Sequence, residues 1–154
     1  TWSKIAPGAV SSSKIAEGEV AAGNLHGAAI AAFERSGATV RTNVPVSSSV
    51  GNLVTVTLNI PSDWSSWNCV AFAHASAEVD DLPGGMVLSV RIDGTDGPQF
   101  DYNVPSWGTA VTAASFRSGI TTTGSRTINL RGFRGNVAVA LNTVFLYARA
   151  FRTS

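Results

Sequence analysis

The first thirty residues carry an aliphatic side chain at every fifth position, and this spacing constrains the fold more than any other feature of the sequence. An α-helix turns by about 100° per residue, so steps of five scatter these side chains around the helix. In an uninterrupted strand, an odd spacing sends successive aliphatics to opposite sides. Neither structure can bury the set. The six positions are Ile5, Val10, Ile15, Val20, Leu25 and Ile30.

Glycines between the aliphatic positions indicate where the chain bends. Gly8, Gly18, Gly23 and Gly27, together with Pro7, separate short segments that are expected to be extended. Because the remaining residues are mainly Ala, Ser, Gly and Glu, one copy has little to pack against and needs other chains. We predict that residues 1–31 form an intertwined homotrimeric stalk with the six aliphatics on its axis. A disordered linker is the alternative.

After the repeat, hydrophobic residues alternate with the period of two that is typical of β-strands. The segment Leu53–Ile60 places four aliphatics on one face and polar residues on the other. Turn-forming sequences rich in Gly, Pro and Asp separate it from seven further candidate strands. These strands are expected near residues 33–42, 68–79, 86–92, 99–104, 109–117, 125–133 and 136–151. The pattern predicts an all-β, antiparallel jelly-roll sandwich over residues 32–154.

The last predicted strand has apolar residues on both of its faces. Phe145 and Tyr147 are expected to share one face with Leu141, whereas Ala140 and Ala148 are expected on the other. An antiparallel sheet commonly has one face in water, so two apolar faces are unusual. We expect the small-residue face to be covered by a second sheet or by a neighbouring subunit.

Two stretches resemble viral fibre proteins. The units KIAPGAV and KIAEGEV, within Lys4–Ile30, resemble repeats that precede the distal domains of bacteriophage tail fibres and related virion fibres. The sequence GSRTINLRGF and the long strand after it resemble the last strands of trimeric jelly-roll heads, of the kind shared with tumour-necrosis-factor-like and C1q-like domains. The resemblance implies a homotrimeric virion appendage whose head contacts a host surface. It assigns no ligand and no site residue.

The composition favours an assembled protein and argues against several partners. Apolar residues make up 44% of the chain, charged residues only 14%, and the formal charge is +1, which suggests surface hidden in an assembly. No run of about 18 apolar residues occurs, so membrane insertion is not expected. No basic cluster interleaved with aromatics occurs, so nucleic acid is not an expected partner. The single cysteine, Cys69, excludes an internal disulfide.

Acidic and basic residues are separated along the chain. All ten acids lie at or before Asp101, and six arginines follow it. Because late strands of a sheet protein usually pair with early ones, we expect these charges to form cross-strand or inter-subunit salt bridges. A basic patch for anionic glycans is the alternative.

Catalytic and metal-binding patterns are scarce, so no enzyme activity, cofactor or metal is predicted. His26 and His74 are isolated from one another and from any metal-ligand motif, and the sequence contains no nucleophile elbow or phosphate-binding loop. His26 could meet its copies on a threefold axis, but the matching repeat positions hold alanine. The segment Asp93–Pro98 reads as a hairpin turn rather than a calcium loop, since it lacks the distal glutamate of an EF-hand.

Three tryptophans in turn-like stretches are the candidate ligand-binding residues. Trp64 and Trp67 lie in PSDWSSWN, and Trp107 lies in VPSWG. An exposed indole can stack on a sugar ring, and Asp, Asn and Ser nearby can supply polar contacts. The alternative is that these side chains close the ends of the sandwich or line subunit seams.

Together these observations predict a non-enzymatic virion fibre. The repeat would set the homotrimer and join other virion proteins at its N-terminal end, and the head would bind a host cell-surface receptor, with a glycan favoured. Two alternatives are a purely structural decoration trimer of the capsid or tail, and a hydrolase acting on surface polysaccharide.

Overall fold

The computed structural model describes residues 34–79, 83–106 and 108–153, and these form eight β-strands with no helix in the described ranges. The strands belong to a compact unit, Glu34–Ser154. All eight predicted strands are present, whereas the repeat and its six aliphatic positions lie outside the described residues. The strands are β1 (Glu34–Val46), β2 (Gly51–Ile60), β3 (Trp67–Val79), β4 (Gly84–Ile92), β5 (Thr95–Val104), β6 (Thr109–Ile120), β7 (Gly124–Arg134) and β8 (Val139–Arg152).

The strands form two four-stranded sheets packed face to face. The first sheet has the order β1-β8-β3-β6, and the second sheet has the order β2-β7-β4-β5. All strand pairs are antiparallel. Each sheet therefore interleaves early and late strands, as in a jelly-roll-like sandwich. This confirms the prediction of an all-β fold with two antiparallel sheets.

The core lies between the sheets because every second side chain points inward. β3 contributes small residues, and Ala71, Ala73 and Ala75 are each only 1% exposed. The second sheet fills the space opposite with large aliphatics, such as Leu88 and Leu130. Small residues on one sheet thus accommodate large residues on the other, and each buried leucine contributes about 2 kcal/mol before conformational entropy is counted.

The alternation of β8 breaks in the middle of the strand, which corrects the expectation of two continuous faces. Ala75 and Ala77 of β3 pair with Val144 and Leu141 of β8, so β8 contains one extra residue between these pairs. Such a bulge switches the side of the sheet to which the following residues point. Leu141 and Val144 are consequently both buried. The opposing sheet covers the small residues that follow, including Ala148, whereas Ala140 lies on the outer side and is half-buried.

The hairpin between β4 and β5 confirms the turn predicted at Asp93. Ile92 pairs with Thr95, so the loop contains only Asp93 and Gly94. Their φ angles are 46° and 81°, the left-handed values that a two-residue type I′ turn requires. Glycine suits the second position because it has no Cβ to strain that conformation. The turn fixes the register of β5, which carries part of the site described below.

Candidate functional site

The structure contradicts the interpretation of Trp64 and Trp67 as stacking platforms. Their side chains are 1% and 0% exposed, respectively, and belong to the core. The Nε1 of Trp67 donates a hydrogen bond of 2.8 Å to the carbonyl oxygen of Thr122, and the guanidinium of Arg35 lies 5.5 Å from the ring centre of Trp64. These indoles fill the interior and offer no face to a ligand. Trp107 lies outside the described residues.

Groups with catalytic or metal-binding potential are isolated from one another. His74 is exposed on β3, and no cluster of three His, Cys, Asp or Glu side chains occurs in the described ranges. Cys69 is fully buried, and this burial raises the pKa of its thiol to about 12. The thiol is therefore protonated at neutral pH and is not a nucleophile. The part of the chain that the structure describes contains no helix able to cross a membrane.

The late arginines pair with early acids, as the cross-strand interpretation of the charge distribution predicted. Arg134 is the exception, since its Nη1 donates to the backbone carbonyls of Gly135 and Val137. The basic-patch alternative is not supported, because each of the other five late arginines has an acidic partner within the chain, although Arg117 and Arg126 share Asp93. The ion pairs are Asp93 with Arg117 and Arg126, Asp96 with Arg131, Glu34 with Arg149, and Asp63 with Arg152.

The outer surface of the first sheet carries most of the large exposed hydrophobics, together with His74 and the Arg149–Glu34 ion pair, and we call it the apolar face. Cross-strand pairing makes its residues neighbours: Val40 faces Phe145, Phe72 faces Tyr147, and Val70 faces Phe116. A contiguous set of large exposed hydrophobics is unusual on a monomer and marks an interaction surface. The exposed fractions are 60% for Val40, 38% for Val70, 42% for Phe72, 64% for Phe116 and 37% for Phe145.

The outer surface of the second sheet is polar, and we call it the polar face. Thr55 and Asn129 are linked across it by a hydrogen bond of 2.7 Å from the threonine Oγ1 to the amide Oδ1. Next to them, a cleft of about 300 Å³ opens over β7, β4 and the start of β5. Its polar lining consists of Ser89, Asp96, Gln99 and Arg131, and its apolar lining includes Val50, Val87 and Phe133.

An ion pair forms one wall of the cleft. The Nη1 of Arg131 donates to both carboxylate oxygens of Asp96, at 2.8 and 2.9 Å. The Nε of Arg91 lies 3.8 Å from one of these oxygens. The side chain of Asp96 is 48% exposed, whereas that of Arg131 is 18% exposed. The carboxylate is therefore held in position from one side and accessible from the other.

Sequence reasoning missed both faces as sites, although part of the signal was present. The apolar face follows from the outward residues of β3, because Val70 and Phe72 alternate with the buried Ala71 and Ala73. The cleft has no comparable signal. Asp96 and Arg131 are 35 residues apart and meet only because β4 pairs with both β5 and β7.

Comparisons with known proteins found only distant similarities to solved structures. No family model matches the chain, and no curated protein matches it. Dimeric latent PorU from Porphyromonas gingivalis is 11% identical with a TM-score of 0.47, covering 77% of this chain and 13% of that one. This chain thus corresponds to only a small part of PorU.

The matches to two further solved structures cover most of this chain and most of the other chain. The CBM36-1 domain of a multidomain xylanase from the hindgut metagenome of Trinervitermes trinervoides is 15% identical with a TM-score of 0.35, covering 71% of this chain and 96% of that one. The Bacillus endospore appendages, a family of disulfide-linked pili, are 9% identical with a TM-score of 0.37, covering 79% and 90%. None of the three similarities assigns a function to this chain.

Proposed function

We propose that this chain is the distal part of a homotrimeric virion fibre whose head binds a receptor on the host cell surface. The apolar face is the observation that carries the proposal. Its five large hydrophobics are each at least 37% exposed in the single chain and lie on one side of one sheet. Covering such a surface removes apolar area from water at about 25 cal/mol per Å². A partner on this face would therefore stabilise the assembly substantially.

Other copies of the same chain are the partner that fits best. The repeat predicted to trimerise ends at residue 31, and β1 of the first sheet begins at Glu34. A stalk that holds three chains together would also hold three heads close to one another. The row Ala38, Tyr147, Phe72 and Ala114 and the row Val40, Phe145, His74 and Thr112 contain no Asp, Glu, Lys or Arg. The neighbouring row with Val70 and Phe116 contains Arg149, whose charge is paired with Glu34. Three copies could therefore meet on this face without burying an unpaired charge.

Light scattering on the full chain tests the trimer. The parent is expected to have a mass of about three times 15.9 kDa. Phe72→Asp and Phe116→Asp should each weaken the trimer, so that the mass falls at low protein concentration, because they would bring carboxylates together in a dry interface and leave only the stalk to hold the chains. Thr57→Asp, on the polar face, is the matched control and should leave the mass unchanged. A monomeric parent would contradict the proposal.

Adsorption to cells tests the attachment role. Fluorescently labelled parent protein should bind the surface of a susceptible bacterial strain, and excess unlabelled protein should displace it. A trimer that adsorbs to none of a broad panel of strains would favour a decoration role over receptor binding.

A further inference from the structure

We infer that the cleft on the polar face binds one neutral sugar residue of a host-surface glycan; this rests on the proposed attachment function and names its site. The cleft volume of about 300 Å³ lies at the lower end of the range for small-molecule pockets. It lies on the outer face of β7, β4 and the start of the edge strand β5, and side chains on that face line it rather than the unpaired backbone of the edge. A peptide therefore could not add to the sheet there by strand pairing.

The charges around the cleft favour a ligand without net charge. Arg131 and Arg91 flank the carboxylate of Asp96. The two charged residues that line the cleft are Asp96 and Arg131, and their charges cancel. An anionic sugar would have to approach the half-exposed carboxylate of Asp96, which offsets its attraction to the arginines.

The free hydrogen-bonding groups match hydroxyls, which both donate and accept. A carboxylate offers about four acceptor positions, and Asp96 uses two of them for Arg131. Both of these bonds leave from Nη1, and no bond from Nη2 of Arg131 occurs within the described residues. The side chains of Ser89 and Gln99 likewise make no hydrogen bond to any described residue. A hydroxyl-rich ligand could therefore find both donors and acceptors here.

The apolar wall of the cleft can pack against the C–H face of a sugar ring. Val87 and Phe133 are half-buried, and Val50 is 53% exposed. Val87 and Phe133 are directly paired across β4 and β7, so their side chains form one continuous apolar surface. Carbohydrate sites combine such a surface with a few placed polar groups. The cleft carries both features within one small volume.

The test is a binding titration of the full chain with defined oligosaccharides. The neutral probes are the trisaccharides maltotriose, cellotriose and mannotriose, and sialyllactose is the anionic probe. Ligand-observed NMR and calorimetry measure the binding of each probe. We expect saturable binding of at least one neutral probe. Its affinity should change little between about 0.05 and 0.5 M NaCl, because no net charge is involved.

Two variants locate the ligand in the cleft. Gln99→Ala should weaken binding about three- to tenfold, the effect of one lost hydrogen bond. Asp96→Asn should weaken it about ten- to a hundredfold, because charged acceptors bind more strongly. Asn103→Ala is the matched control, since Asn103 is exposed on the same strand and face but lies outside the cleft. Its affinity should equal that of the parent.

Three results would overturn the inference. One is binding that the two cleft variants leave unchanged, which would place the ligand elsewhere. Another is a preference for sialyllactose that weakens as salt is added. The last is an absence of binding to every neutral probe. Each of these is compatible with a trimeric parent that adsorbs to cells, so failure of this site and failure of the fibre proposal are distinguishable.

Discussion

The two outer faces of the sandwich are built from the same kind of strand but differ in chemistry. The apolar face presents Phe72 and Phe116 to solvent, whereas the polar face presents Asp96 and Arg131. Both sheets bury their inward residues in one shared core. About half of the side chains on each strand are therefore required to be apolar by the core, whereas the chemistry of the outward half can differ between the two sheets. We propose that this difference separates a surface for assembly from a surface for a ligand.

The largest expected effect is a difference in stability between substitutions of an interior aromatic on β3 and of an outer aromatic on β6. Trp67→Ala should lower the free energy of unfolding by about 3–5 kcal/mol, because it leaves a cavity and removes the hydrogen bond to Thr122. Phe116→Ala should weaken assembly but change the unfolding of the dissociated chain by less than about 0.5 kcal/mol. Denaturant unfolding at high and low protein concentration measures both. If Trp67→Ala and Phe116→Ala lowered the free energy of unfolding of the dissociated chain equally, the distinction between the core and the apolar face would be wrong.

A second comparison uses two alanines of β8 that the bulge places on opposite sides. Ala148→Leu should cost about 1–3 kcal/mol, because Ala148 is fully buried and the core cannot accept three extra carbons without strain. Ala140→Leu should cost less, because Ala140 is half-buried on the outer side. Thermal melting of the two variants gives the order. A larger loss for the Ala140 variant would contradict the position of the bulge.

The smallest of these effects concerns the polar face. Thr55→Val should lower the free energy of unfolding by about 1 kcal/mol, because it leaves the largely buried Asn129 without the hydroxyl that donates to it. Thr57→Val, on the same strand and the same face, is the control and should be close to neutral. Denaturant titrations resolve this difference. If both variants equal the parent, the hydrogen bond contributes nothing to the order of the polar face.

The fold was largely predictable from the sequence, because period-two alternation and turn residues are local signals. All eight strands were found in this way, as was the hairpin at Asp93. The bulge in β8 was not, since one extra residue depends on pairing with β3. The site was much less predictable. Trp64 and Trp67 lie in turn-like sequence, but the position of a residue along the chain does not reveal whether its side chain folds inward.

Radical footprinting of the intact parent tests the central claim most directly, namely that the apolar face is covered by other copies while the polar face stays open. Phe116 is 64% exposed in the single chain, and Phe133 is half-buried beside the cleft. We predict slow oxidation of Phe116 in the parent and fast oxidation in the dissociated Phe72→Asp variant, with Phe133 oxidised at the same rate in both. Fast oxidation of Phe116 in the intact parent would contradict the account.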